Sequence, residues 1–530
     1  MPLTKVLVSD KLSQAGLDVL GRASGIEVHY RPGLSGEELA SIIGGYDALV
    51  VRSASKVTEH VISQALRLRV IGRAGIGVDN VDLRAASKRG IVVMNTPTGN
   101  AVTTAEHALA LLMSAARRIP AATASTRAGK WEKSKLQGRE VANKTLGIIG
   151  LGNIGRIVAD RAQGLKMRVI ARDPVVPTDT ALRLGVELVS LDELYARADF
   201  ISVHAPSSSE TRGMLDDAAF EKMRPGVIIV NAARGGIVDE AALARAIESG
   251  KVLAAALDVF EKEPVDPDNP LLRYDQVVLT PHIGASTFEA QERVAVEIAH
   301  QVVDFLVEGT IHNGINAADV GPEVARKIRP YLDVARKLGT LLGHLGPMDA
   351  QVFRVTCTGE AGELGVTPIA HSALAGYLER HVAEPINYVS APVEAQERGI
   401  SIVEVREEAT RGFATTVRVA IHGGRESHVA VGSLGVDEQP LLVGLEGYEL
   451  DAALGGTTLV IRNADRPGVI GAVGTILGRR NINVSRMQVG LDPTKGEAMA
   501  VWNLDSPVPA DALDEVRSIE NVKSVLCVEL

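Results

Sequence analysis

A chain of 530 residues is too long for one hydrophobic core, so three or four domains are expected. Hydrophobic residues at 46% and charged residues at 23% exclude a disordered or fibrous chain, and a formal charge of −9 argues against nonspecific nucleic-acid binding. Cys357 and Cys527 offer neither a disulfide framework nor metal-ligand spacing, and no signal h-region or spanning apolar run is present, so a cytoplasmic location away from membranes is expected.

Aromatic residues make up only 3%, which leaves Ala, Val, Leu and Ile to fill the cores, as parallel sheets prefer. Residues 6–9, 26–30, 48–52, 69–72 and 91–95 read as short strands alternating with amphipathic helices, hence a small parallel sheet. Arg52-Ser53-Ala54-Ser55 follows the third strand and the run Arg73 to Asn80 follows the fourth. Ligands gather outside the carboxyl ends of such strands, so these loops are the first candidates for substrate contact. A helix over 102–118, with Ala105, Leu109, Leu112 and Ala116 on one face, then carries the chain away.

After Trp131 comes the densest motif. Strand 145–149 ends in Gly150-Leu151-Gly152-Asn153-Ile154-Gly155, the spacing G-x-G-x-x-G, and a helical run over 156–165 follows at once. Gly150 permits the tight turn, Gly152 lets a pyrophosphate approach the backbone, and Gly155 lets helix press on strand. A second strand, 167–171, leads to Asp173, where a carboxylate bonds the ribose hydroxyls of NAD and repels a 2′-phosphate. Arg172 beside it reads as a solvated surface arginine. Alternation continues through 200–204, 227–231, 253–257 and 277–279, and a long helix over 288–307 leads back toward the first sheet. Two bridging helices imply a nucleotide domain inserted in a substrate domain, with the reaction site between them.

Residues 313–330 have the glycine, proline and aspartate content of a linker. Strands 351–358, 413–422 and 428–433 and a helix over 369–382 follow, an α+β unit more plausible as interaction surface than as active site. The final segment reads strand 458–461, helix 469–479, strands 484–490 and 498–504, helix 510–518 and strand 522–529, a ferredoxin-like βαββαβ order.

Three pieces of the nucleotide domain place ionisable groups after consecutive strands: Asn231 to Gly236 around Arg234, Asp258 to Pro264 around Glu263, and Pro281 to Ala285 around His282. Oxidising a 2-hydroxy acid needs a base for the hydroxyl proton, a cation for the carboxylate and a nicotinamide for the hydride. Imidazole changes charge near neutral pH, so His282 suits the base; Glu263 would bond its other nitrogen, and Arg234 would grip the carboxylate through two parallel bonds. Singly, each has a bland alternative as loop histidine, turn cap or strand-end cation. Their joint placement points to catalysis. His107 and His204 read as structural or cofactor-adjacent, and no Cys/His metal set or G-x-S-x-G nucleophile occurs.

Arg52-Ser53-Ala54, the Gly150 fingerprint and these three pieces resemble the signatures of D-isomer-specific 2-hydroxyacid dehydrogenases. With its C-terminal extension the whole chain is similar to the long-type members that act on 3-phosphoglycerate. The resemblance implies a Rossmann nucleotide-binding domain (99–285) inserted in a flavodoxin-like substrate domain (1–98 and 286–314), an α+β intervening domain (315–453) and a ferredoxin-like ACT domain (455–530). It implies oxidation of 3-phospho-D-glycerate with NAD at the head of L-serine synthesis, in a homotetramer. Carried over by residue, Arg234, Glu263 and His282 are catalytic; Asn153, Ile154, Asp173, Ala205, Ala232, Ala233, Arg234, Asp258, His282, Ile283, Gly284 and Ala285 line NAD beside Gly150, Gly152 and Gly155. Arg52, Ser53, Gly75 and Asn100 would contact substrate. Ala205 stands where related enzymes often have threonine, so only a backbone contact is expected there.

The run Asp465 to Ile470 matches the ACT loop, and with Asn483 it would bind L-serine at a paired interface; simple dimerisation is the alternative, and Asn463 replaces an aromatic residue of some relatives. Two other readings of the whole chain stay open: a nucleotide-sensing regulator that binds a protein partner, and a dehydrogenase of glycerate or another 2-hydroxy acid.

Overall fold

The computed structural model describes residues 3–318, 320–346, 350–382, 385–408, 413–424 and 426–530. Asp319 of the expected linker, and 347–349, 383–384, 409–412 and 425 of the expected third domain, lie outside them.

The first sheet holds β1 (Thr4–Val8), β2 (Ile26–Tyr30), β3 (Ala48–Val51), β4 (Val70–Arg73) and β5 (Val92–Met94) in the order β2-β1-β3-β4-β5. Every pairing is parallel, and this order is flavodoxin-like. β3 and β5 are buried along their whole length, as strands covered by helices on both faces must be.

The second sheet holds β6 (Thr145–Ile149), β7 (Arg168–Arg172), β8 (Glu187–Leu188), β9 (Phe200–Val203), β10 (Val227–Asn231), β11 (Val252–Leu257) and β12 (Val277–Leu279). Their order, β12-β11-β10-β9-β6-β7-β8, reverses direction between β6 and β9, and all pairs are parallel. That reversal opens a crevice beside the end of β6, where a Rossmann fold binds its nucleotide.

Helix Ala101–Arg117 buries Ala105, Leu109 and Leu112 in one core with Leu146 and Ile148 of β6, so it belongs to the second sheet. Helix Phe288–Glu308 returns the chain: Val294, Ile298 and Val302 share a core with Val6, Val50 and Val70. Thr287 caps its start by accepting from the Ala290 N–H, and Gly309 at φ 75° ends it. The two helices tether the lobes to one another at the base of the cleft.

The third unit corrects several expectations. Only residues up to Gly321 connect the units, because Pro322 begins a 24-residue helix, Pro322–Leu345. Proline is tolerated in a first turn, and Ile328, Tyr331, Val334, Ala335, Leu338, Leu341 and Leu342 recur at helical spacing and are buried. Pro330 stands inside this helix, so punctuation by proline misleads where an apolar stripe is this long. The sheet holds β13 (Val352–Thr358), β14 (Ser401–Glu407), β15 (Val417–Gly423), β16 (Glu426–Leu434), β17 (Pro440–Leu445) and β18 (Tyr448–Ala453) in the order β14-β13-β15-β16-β17-β18. The strand expected from 413 therefore starts at Val417, the helix expected over 369–382 is Val366–Leu378, and β14, β17 and β18 are additional. β14 carries Glu404, Arg406 and Glu407 on an exposed edge, a composition that hides a strand from hydropathy and discourages pairing with other chains.

The last sheet, β19 (Thr457–Ala464), β20 (Val484–Asp492), β21 (Glu497–Leu504) and β22 (Val522–Glu529), is antiparallel in the order β20-β21-β19-β22. Helices Val469–Arg479 and Ala510–Arg517 cover one face. On the other, Val460, Met499, Val501 and Val528 join the core of the third unit beside Tyr448 and Leu450. Among the described residues no helix is long and apolar enough to cross a membrane.

Candidate active site

The parallel register brings the chemistry together. Ile149 pairs with Val203, Val203 with Asn231, Asn231 with Leu257 and Leu257 with Leu279, so the residues after five strands emerge along one edge. Facing them are the ends of β3 and β4, themselves in register through Val51 and Arg73. The cleft between has a volume of about 800 Å³. Its walls include Arg52, Ser53, Gly75 and Asn100 on one side, and Ala205, Ala232, Ala233, Arg234, Asp258, Glu263, His282, Gly284 and Ala285 on the other, with Asn153 and Ile154 at one end.

His282 Nδ1 lies 2.7 Å from Glu263 Oε2. A carboxylate only accepts, so Nδ1 carries the proton and Nε2 of the neutral ring is left as a proton acceptor. Glu263 is itself aimed, since its Oε1 accepts from the Phe260 N–H at 3.1 Å. The His282 backbone is left-handed, φ 53°, an uncommon conformation for a residue with a Cβ and one that clusters at functional sites. It is held there by the His282 N–H, which donates to Asp258 O at 2.9 Å.

Asp258 braces this turn. Its side chain is 1% exposed and accepts from Thr280 Oγ1 at 2.6 Å and from the backbone N–H groups of Ile283 and Gly284 at 2.9 and 2.8 Å, with His107 Nε2 3.1 Å away. Burial pushes the carboxyl up, but the bonds from His107, Thr280 and Ile283 outweigh it and hold it below the usual carboxylate range. His107 thus belongs to the support of the site. His204 lines the cleft with Nε2 2.8 Å from Ser202 Oγ, and burial pushes its ring down to about 4.

On the opposite wall the 52–55 loop is clamped by buried Asp10, which accepts from the Arg52 N–H at 2.6 Å and from the Ser55 N–H and Oγ at 3.0 and 2.8 Å. Asn80 Nδ2 holds the same loop through Arg52 O and Ser55 O. Arg73, at the end of β4, lines the cleft with its Nε buried and, among the described residues, without a hydrogen-bond partner. Burial, then the charges of Arg234 and Arg52, push its guanidinium down to about 10. Asn100 stands at the N-cap position of helix Ala101–Arg117 without a side-chain capping bond, and its Oδ1 is unpartnered among the described residues. The orphaned donor of Arg73, with Arg52 and Arg234 lining the same cleft, describes a pocket for an anion. Asp10 is a contributor that no sequence pattern singles out; Arg73 and Asp79 belong to the run expected to contact substrate, Phe260 to the Asp258–Pro264 piece, and His107 is in the supporting place expected of it.

The dinucleotide end fits its expected occupant. Gly150 has φ 94° and a Cβ there would meet Ala205 N and His204 C at 2.8 Å, while a Cβ on Gly155 would collide with Gly150 O. Gly152, the N-cap of helix Asn153–Gly164, has open space where its Cβ would be. The helix starts three residues before the expected 156, leaving its first N–H groups facing that space. Asp173 accepts from the Leu151 N–H at 2.7 Å and from the Val175 and Val176 N–H groups at 2.8 and 2.9 Å. Burial opposes its ionisation, but these bonds and Arg156 keep it below the usual range, and lone pairs remain for a hydroxyl. Ile283 contributes its backbone to the brace rather than its side chain to the cleft wall.

Asp465 and Asn483 are far from this cleft and from each other. Ala464 pairs with Glu497 and Val484 with Leu504, so the two residues lie at opposite ends of the last sheet, separated by about 25 Å of strand. Both are exposed.

Comparisons with known proteins agree with this geometry. Residues 109–284 match the family model described as D-isomer specific 2-hydroxyacid dehydrogenase, NAD binding domain; 327–446 match the D-3-phosphoglycerate dehydrogenase intervening domain, and 457–521 the ACT domain. A D-3-phosphoglycerate dehydrogenase of Archaeoglobus fulgidus is 43% identical over 99% of this chain and 100% of its own length. The chain belongs to the D-3-phosphoglycerate dehydrogenase family. The family's Synechocystis member is 39% identical over 100% of this chain and 95% of its own. A crystal structure of a glyoxylate reductase from Paecilomyes thermophila, 31% identical with a TM-score of 0.55, covers 59% of this chain and 99% of that one. The cofactor of the family's nucleotide domain is NAD, and the enzyme is an NAD-dependent dehydrogenase.

Proposed function

We propose that the enzyme oxidises 3-phospho-D-glycerate to 3-phosphohydroxypyruvate, the first step of L-serine biosynthesis, in the cytoplasm. The observation that carries this reading is the oriented Glu263–His282 pair, with Arg234 on its own wall and Arg52 and Arg73 on the opposite one, in one cleft. His282 Nε2 takes the hydroxyl proton, and Glu263 stabilises the imidazolium as it forms. Arg234 holds the carboxylate. Arg52, Arg73 and Ser53 hold the phosphate, with Gly75 and Asn100 completing the contacts around the small acid. Bound NAD supplies the acceptor for the hydrogen on C2. Gly150, Gly152 and Gly155 hold its pyrophosphate, Asp173 its ribose, and Ala205, Ala232, Ala233 and the 283–285 turn its nicotinamide end.

The functional units are 1–98 with 286–314, 99–285, 315–453 and 455–530. L-serine is the effector. Because Asp465 and Asn483 are at opposite ends of one sheet, a site using both takes them from two copies paired edge to edge, in keeping with a homotetramer.

Mixing the protein with NAD and 3-phospho-D-glycerate should release NADH, with D-glycerate a much poorer substrate. His282→Ala should lower kcat by roughly 10²- to 10⁴-fold while NAD still binds. No turnover under any condition would favour a nucleotide-sensing regulator, and comparable rates with D-glycerate would remove the phosphate from the reading.

A further inference from the structure

We infer that Asp79 is a positioning residue for this reaction, reaching across the cleft from the first sheet to hold the guanidinium of Arg234 in its working orientation. The inference rests on the role proposed above for Arg234. Asp79 lies on the loop after β4 and Arg234 on the loop after β10, so the bond from Arg234 Nε to Asp79 Oδ2, 2.9 Å, joins the two lobes. Arg234 Nη1 donates to Ala233 O at 2.7 Å. Nε and Nη1 are thereby held, one from each lobe, and among the described residues Nη2 has no hydrogen-bond partner.

Nη2 lies against the bare Cα of Gly77, where a Cβ would collide with it. Gly75, Gly77 and Arg73 line the same cleft, and Arg73 Nε is unpartnered among the described residues. The aim of Asp79 is built in. Its neighbour Asn80 bonds Arg52 O and Ser55 O at 2.8 and 2.7 Å and accepts from the Val57 N–H at 2.8 Å, while the other end of the loop is tied through Gly75 O to the Thr96 N–H at 3.1 Å.

Neither stability nor ligand charge accounts for this carboxylate. The Asp79 side chain is 67% exposed, and an ion pair so open to water adds little to folding. A negative group in a pocket for a polyanionic acid opposes binding. Orientation is the gain that offsets it: with Nε and Nη1 held, the guanidinium presents Nη2 to a carboxylate in one direction rather than several. The pair also ties the aim of Arg234 to the approach of the lobes.

The test is a double-mutant cycle on the full-length enzyme, reading kcat, KM for 3-phospho-D-glycerate, KM for NAD, and the affinity of oxalate, a dicarboxylate probe. Asp79→Asn should raise KM for the hydroxy acid and weaken oxalate about tenfold each, leaving KM for NAD unchanged. Asp79→Glu should recover part of the loss. In an Arg234→Ala background, Asp79→Asn should cost nothing further. An unchanged or lowered KM in Asp79→Asn, or additive losses with Arg234→Ala, would overturn the inference. Asp79→Ser with NAD titration separates a folding defect from a positioning one, since a folded variant with wild-type KM overturns it too. Failure of the wild type to turn over would instead overturn the proposed function.

Discussion

His204 illustrates how one buried ring ties stability to pH. An unfolded histidine takes its proton near 6.5, whereas burial holds this one down to about 4. Between those values the unfolded chain binds more protons, so the contribution is complete above about 6.5 and is lost as pH falls toward 4, a difference of roughly 3 kcal/mol. His344, His371 and His381 are shifted down by burial as well and act in the same direction. Melting temperature should therefore fall between pH 6.5 and 4.5, and His204→Gln should flatten its part of that slope; an identical slope in the variant would mean that the ring is hydrated. His282 differs in kind. It is half-exposed and hydrogen-bonded to a carboxylate, and its left-handed backbone is held by Asp258 behind it. Residue types placed after consecutive strands single out His282, Glu263 and Arg234 as candidates, and the structure brings the three to one cleft. Asp10 carries no signal in the sequence, because it acts through backbone groups and a side chain more than forty positions away.

Among elements, the β6–helix unit is where local sequence and final geometry agree most closely. Gly155 is pressed against the Gly150 carbonyl, so Gly155→Ala must separate helix and turn by a methyl group. Overpacking of this kind costs about 1–3 kcal/mol, and it falls on the N–H groups that face the pyrophosphate. NAD affinity should drop about tenfold while the fold persists, measured by titrating nucleotide against protein fluorescence; unchanged affinity would show that the turn tolerates the shift. Helix Pro322–Leu345 teaches the opposite lesson. Gly321, Pro322 and Pro330 look like punctuation, but seven buried positions at helical spacing outweigh them. The edge strand β14 was missed for a related reason: its charged residues suit an exposed edge and mimic a loop.

At the scale of the molecule, the regulatory end is continuous with the unit before it. Val460, Met499, Val501 and Val528 share a core with the third sheet, so removing 457–530 would bare apolar surface and confuse loss of regulation with loss of stability. A point change is cleaner. Asn483→Ala keeps the backbone N–H that donates to Asp505 Oδ1 and should abolish inhibition by L-serine without changing turnover; inhibition that persists would move the effector site elsewhere. The third unit also grips the substrate lobe directly, through Arg84 and Lys88 to Glu397 and Asn387 Nδ2 to Gly90 O.

Apolar strand runs, the glycine fingerprint and three ionisable strand-end pieces are local patterns, and each was readable from neighbours in the chain. Which strand ends line up, and hence that Arg234 of one lobe meets Asp79 of the other, was decided only by the tertiary structure. The reason is physical: parallel strands pair across long connections, so their register is set by the packing of whole helices and sheets rather than by any stretch short enough to carry a motif.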